Sequence, residues 1–274
     1  MSISPINLAF EKSKIEKRPA LLTYTVAGDS TKKKSLEILN SISNFVDIVE
    51  IGWAHNCPIA DGGQIQTSAA RAIKNGFKMK DIFYIVKNFK KNKNAKPVIL
   101  MGYYNMIYQY GENKFLKKCK QVGVNGLIVV DLPWPNNKPF SKKCKINSIS
   151  FVQLLSPTTS YSRMKKIVRD SHDMLYLISM LSTTGGKLKV SPKTILKNYN
   201  KIKKINKSKN LVIGFGITSK NISSFKKADG CVVGSEICQK ISKSIEKRQN
   251  PVTNVRNMVK SLRKKISWIG LLNL

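Results

Sequence analysis

Acid is what this sequence has least of: 15 Asp and Glu stand against 49 Lys and Arg in 274 residues, a formal net charge of +34. An excess of that size points first to a polyanionic partner. Arginine is scarce as well, with seven in the chain, and arginine is the residue that grips phosphate and guanine with two parallel hydrogen bonds. The basic residues are spread over almost every polar segment, and short clusters such as 32–34 and 90–93 read as solvated helix ends. The charge therefore reads as a drift of the surface toward lysine, with no specific nucleic-acid partner expected. A basic nucleic-acid-binding barrel is kept as an alternative.

The five cysteines are an odd number, form no Cys-x-x-Cys pair and have no histidine at ligand spacing, which argues against a disulfide framework and against a zinc site. They suit a reducing cytoplasm. No apolar run approaches the roughly 18 residues of a membrane span, and Met1-Ser2-Ile3-Ser4-Pro5 lacks the apolar core of a signal peptide. The expectation is a soluble, unexported, cytoplasmic protein. No linker rich in Pro, Gly or Ser and no shift of composition divides the chain, so a single domain over residues 1–274 is expected.

What is present is a rhythm. Short runs rich in Val, Ile and Leu recur at 21–26, 47–52, 98–101, 126–130, 149–155, 174–179, 211–215 and 230–234. They are continuous rather than alternating, as in strands buried on both faces of a parallel sheet. Segments of helical period separate them, for example Met79, Ile82, Phe83 and Val86, or Met164, Ile167 and Val168. Eight such units predict an α/β protein of the (β/α)8 TIM-barrel type, with a short N-terminal helix at about 5–17 and a C-terminal helix at about 251–266. A doubly wound open sheet is the second choice.

In a barrel the chemistry belongs at the C-terminal ends of the strands. Glu50 lies inside the apolar run 47–52, where an unpaired charge is expensive, and Asp61 follows eleven residues later beside Gly62 and Gly63. One carboxyl in an apolar wall and one in a polar turn make a general acid/base pattern. The structural alternative is that Glu50 meets a lysine and Asp61 initiates a turn. The distal half carries the glycine turns of a phosphate site: Ser182-Thr183-Thr184-Gly185-Gly186, Gly214-Phe215-Gly216, and Gly234-Ser235 at a helix start.

Ten stretches stand in a known order and spacing: Ala27-Gly28-Asp29, Glu50-Ile51-Gly52, Ala60-Asp61-Gly62 with Ile65-Gln66, Leu100-Met101 with Tyr103-Tyr104-Asn105, Asp131-Leu132-Pro133, Pro157-Thr158, Tyr176-Leu177-Ile178-Ser179, Thr184-Gly185, Gly214-Phe215-Gly216-Ile217 and Val233-Gly234-Ser235. Over nearly its whole length the sequence resembles the tryptophan synthase alpha-subunit family. The resemblance implies a carbon–carbon lyase of tryptophan biosynthesis that cleaves indole-3-glycerol phosphate to indole and D-glyceraldehyde 3-phosphate without a cofactor of its own. It implies a beta subunit, which holds pyridoxal phosphate, as partner in an α2β2 heterotetramer. It casts Glu50 as the acid/base and Asp61 as the group that holds the indole N–H. Tyr176 would stand near the glycerol chain, with Thr184 on a closing loop. Gly185, Gly214, Gly234 and Ser235 would hold phosphate, and Leu22, Leu100, Tyr103, Leu127 and Phe215 would wall the indole. A different phosphate-binding barrel isomerase or synthase is the alternative within enzymes.

The chain departs from the family after Glu50. The family pattern Gly-x-Pro-Phe-Ser-Asp-Pro is replaced by Gly52-Trp53-Ala54-His55-Asn56-Cys57-Pro58. Cys57 stands for an Asp that contacts the beta subunit, and His55 stands for an aromatic ring. Met180 and Ser182 replace a commoner Arg and Gly in the closing loop. A working enzyme with altered regulation is the expectation.

Overall fold

The computed structural model describes residues 3–179 and 190–267. Its strands are β1 Ala20–Val26, β2 Ile48–Gly52, β3 Val98–Gly102, β4 Gly126–Val129, β5 Ser150–Phe151, β6 Gln153–Leu155, β7 Met174–Ile178, β8 Asn210–Gly214 and β9 Gly230–Val233. All the pairings are parallel, in the order β5-β4-β3-β2-β1-β9-β8-β7-β6. The two ends of this sheet, β5 and β6, are separated only by Val152, whose N–H donates to Leu127 O at 2.9 Å. They are two pieces of one strand, so the sheet closes on itself. The expected run 149–155 is this strand, divided where its pairing passes from β4 to β7.

Burial on both faces separates two apolar layers. Leu22, Ile48, Ile99, Ile128, Val152, Met174, Val212 and Val232 point into the barrel, while Leu21, Val49, Leu100, Leu127, Leu175, Leu211 and Cys231 pack under the helices. The alternation follows from the strand period of two. Several helices start where a side chain can receive the orphan N–H groups: Thr31, Ser160 and Ser191 each cap one between strands, and Asn250 caps the C-terminal helix. The helix Tyr161–Asp170 shows the typical stripe, burying Met164, Ile167 and Val168 against the sheet.

The N-terminal end of the barrel is sealed structurally. Helix Pro5–Ile15 inserts Ile6 and Phe10 into the inner layer. Beside it Arg18 makes two hydrogen bonds to Asp47, at 2.7 and 2.8 Å, and Arg263 of helix Pro251–Ile266 adds a third at 2.9 Å. Such a buried, fully bonded set ties the last helix to the first two strands, and removing one partner would strand a charge. The opposite end is left open for the site.

Candidate active site at the barrel mouth

Strand β2 delivers Glu50 to the inner face, paired in register with Tyr24 of β1 and Ile99 of β3. The carboxyl is fully buried, and neither oxygen has a hydrogen-bond partner among the described residues. Burial alone therefore pushes its pKa up, to about 8. Among the described residues Glu50 meets no lysine, so the structural alternative for it is not realised there.

Asp61 ends a short turn, its N–H donating to Pro58 O at 3.0 Å, just before helix Gly63–Lys74. Its Oδ2 accepts from the Tyr103 hydroxyl at 3.1 Å, and the same hydroxyl accepts from Ala60 N at 3.0 Å. Burial pushes Asp61 up to about 6, against the lowering pull of the Tyr103 bond and of His55. His55 stacks on the Tyr103 ring with centroids 4.7 Å apart, and its Nδ1 accepts from Cys57 N at 3.1 Å. This loop thus sets a ring over Tyr103 and leaves Cys57 exposed.

Both acids line a cavity of about 710 Å³, with Tyr24, Ile65, Met101 and Tyr176 as its walls. Two glycines make room for the phenols. A Cβ at Gly52 would lie 2.0 Å from the Tyr24 hydroxyl, and one at Gly214 would lie 1.9 Å from that of Tyr176. The turn after β8 carries Phe215 and Gly216 at φ +64° and +72°, a left-handed pair that folds the backbone over the cavity. The Phe215 ring stands edge-on to Tyr176 at 6.0 Å. Across from it, Gly234 precedes helix Ser235–Glu246, whose first N–H groups have no partner within the helix. Lys220 is the cation lining this cavity among the described residues. Backbone donors, a helix N-terminus and one lysine make an anion cradle.

A family model described as tryptophan synthase alpha chain matches residues 10–267. The chain belongs to the tryptophan synthase alpha-chain family. A tryptophan synthase alpha chain of Pelagibacter ubique (strain HTCC1062) is 74% identical over 265 residues, spanning 97% of this chain and all of that one. One from Thermococcus kodakarensis is 37% identical, spanning 89% of this chain and 95% of the relative. The crystal structure of tryptophan synthase subunit alpha from Legionella pneumophila str. Paris superposes with a TM-score of 0.88 at 28% identity, covering 97% of this chain and 99% of that one. The protein is accordingly a carbon–carbon lyase of tryptophan biosynthesis acting on indole-3-glycerol phosphate. This sets aside the isomerase and nucleic-acid readings as its function.

The mouth brings together Glu50, Asp61, Tyr176, Phe215, Gly234 and Ser235. Five of the expected residues lie elsewhere. Leu100 and Leu127 belong to the outer layer beneath the helices, because a strand buried on both faces gives no sign in its sequence of which parity faces inward. Their neighbours Met101 and Ile128 face the barrel, and Met101 lines the cavity. Leu22 faces inward but is wholly buried, one inward position before Tyr24. Gly214 belongs to the strand and yields space to Tyr176, and Gly216 is the glycine of that turn which lines the cavity. Tyr103 stands behind Asp61 as its hydrogen-bond donor rather than among the cavity's lining residues. Thr184 and Gly185, with Met180 and Ser182, lie outside the described residues. Tyr24 and Met101 are not singled out as site residues in the sequence, though alternation counted from one inward residue per strand would have found them, whereas Gly216 stands in the expected turn Gly214-Phe215-Gly216.

The described residues contain no group of three His, Cys, Asp or Glu able to hold a metal ion, and no helix long and apolar enough to cross a membrane.

Proposed function

We propose that Glu50 and Asp61 divide the cleavage between a proton carrier and a fixed charge. The observation that carries this is their contrasting surroundings: Glu50 is fully buried with no hydrogen-bond partner among the described residues, which pushes its pKa up to about 8 and favours the neutral acid, whereas Asp61 accepts from the Tyr103 hydroxyl, which pulls it lower, to about 6, and favours the carboxylate. Indole leaves only if C3 of the ring is protonated first. Neutral Glu50 gives its proton to C3, and positive charge spreads to the ring nitrogen, where the Asp61 carboxylate receives the N–H and stabilises the cation. The Glu50 carboxylate then takes the proton of the neighbouring glycerol hydroxyl. The carbon–carbon bond breaks, its electron pair returns to the ring, and the hydroxyl carbon becomes the aldehyde of glyceraldehyde 3-phosphate. The proton balance is zero, and side chains alone carry the reaction.

Phosphate would rest on the turns at Gly216 and Gly234–Ser235, with Tyr176 beside the glycerol chain and Phe215 over the ring. In this reading the chain works in the cytoplasm with a beta subunit in an α2β2 assembly. Pyridoxal phosphate belongs to that partner, and the Trp53–Cys57 replacements alter the coupling between the two. The deciding experiment incubates the purified chain with indole-3-glycerol phosphate, with and without a beta subunit. Indole release in both, faster with the partner, is the expected result, and no release with the partner present would overturn the assignment.

A further inference from the structure

Glu236 is an acid where acid is least expected. It is the second residue of helix Ser235–Glu246, lines the cavity, and stands beside the turns that the proposed function gives to phosphate. A free carboxylate there would repel the substrate. Instead, both its oxygens are engaged: Ser219 N donates to Oε2 and Ser219 Oγ to Oε1, each at 2.6 Å. Hydrogen bonds to a charged acceptor are stronger than neutral ones.

Ser219 belongs to the turn after β8, and that turn is internally braced. Asn221 Nδ2 donates to Gly216 O at 2.8 Å, and Asn221 Oδ1 accepts from Thr218 N at 2.8 Å. The Ser219 carbonyl also accepts from Lys265 Nζ at 2.6 Å. A hold on Ser219 is therefore a hold on Gly216. Such a hold is needed, because the pairing of β8 with β9 ends at Ile213–Cys231, below both glycine turns.

We propose that Glu236 is a positioning residue: by gripping Ser219 it fixes the turn after β8 against the helix after β9 and so sets the width of the phosphate cradle. The proposal rests on the phosphate reading of Gly216 and Gly234. Glu236 does not itself touch substrate in this scheme, and its charge is a cost that the grip and the helix N-terminus offset.

Two variants separate the grip from the charge. Glu236→Gln keeps both links, its Oε1 accepting from Ser219 N and its Nε2 donating to Ser219 Oγ, while the charge is lost. Glu236→Ala loses both. The full chain is assayed with its beta partner for KM and kcat, and by calorimetry with inorganic phosphate and with indole as separate probes. For Glu236→Ala the expected result is a KM about tenfold higher, phosphate affinity lowered to match, kcat changed far less and indole affinity unchanged; such a loss corresponds to roughly 1.4 kcal/mol. Glu236→Gln should restore the wild-type KM or lower it. If the Ala variant instead lowers KM, the residue acts only through its charge, and the proposal fails. If indole and phosphate affinities fall together, the residue is merely structural, and it fails equally. Should inorganic phosphate not compete with substrate in the wild-type chain, the phosphate reading itself falls, a result distinct from either.

Discussion

The two halves of the barrel mouth solve different problems with different parts of the chain. In the proposed reaction the working groups on the β1–β3 side are side chains: Glu50 is held in the apolar layer with no hydrogen-bond partner among the described residues, and Asp61 is held by one phenol at the end of a turn. On the β8–β9 side they are backbone: a left-handed turn at Phe215–Gly216 and the first turn of helix Ser235–Glu246. Proton transfer needs an adjustable pKa, and desolvation of a side chain supplies it. Holding a phosphate needs only fixed N–H dipoles, which backbone supplies without titrating. The acid half is therefore sensitive to pH, and the backbone half to shape.

The sharpest way to break this contrast is Glu50→Gln. It should lower kcat by at least about 10²-fold, the scale of general acid–base catalysis, while inorganic phosphate still competes with wild-type affinity. Near-normal turnover would remove Glu50 from the chemistry. The matching change on the other side is Gly234→Asp, which sets bulk and negative charge at the helix N-terminus. KM should rise by an order of magnitude or more, since a repelled anion and a blocked N–H act together, and an unchanged KM would place the phosphate elsewhere.

A smaller effect concerns stability. The folded pKa of Glu50, about 8, lies above its ordinary value of 4.5, so the fold favours the neutral acid. Its contribution is fully present below about pH 4.5 and is lost as pH rises through about 8, on the order of a few kcal/mol. Wild-type Tm should therefore fall between pH 5 and 9 more steeply than that of Glu50→Gln; parallel curves would show that Glu50 ionises freely in the fold. The smallest effect is expected from Tyr103→Phe. Removing the hydroxyl withdraws the bond that lowers Asp61, so the acid limb of kcat, near pH 6, should move upward by less than about one unit. A limb that stays in place would detach Asp61 from the profile.

Much of this is legible in the residues alone. Glu50 stands out because a carboxylate inside an apolar run must be paired, neutral or functional. The turns at Gly214–Gly216 and Gly234–Ser235 stand out because they follow the last two strands, where a barrel of this kind binds phosphate. What is not legible is facing. Leu100 and Leu127 are as apolar as Met101 and Ile128, and all four are buried. In a sheet covered on both sides burial does not distinguish the two parities, so a one-residue slip in reading exchanges cavity for core. Glu236 is illegible for another reason: its partner Ser219 is seventeen residues away on a different turn, and no local pattern connects them.

The sequence by itself determined the number and order of the strand–helix units and the family, and it singled out Glu50 and Asp61 as candidates, because these depend on local period and on residue types in fixed spacing. Tertiary structure alone decided which face of each strand looks into the cavity, that Glu50 has no partner there among the described residues, that Gly52 and Gly214 exist to admit two phenols, and that Glu236 joins the two turns. Each of those follows from closing the sheet, which sets residues from distant strands within ångströms of one another and removes the water that would otherwise have answered their charges.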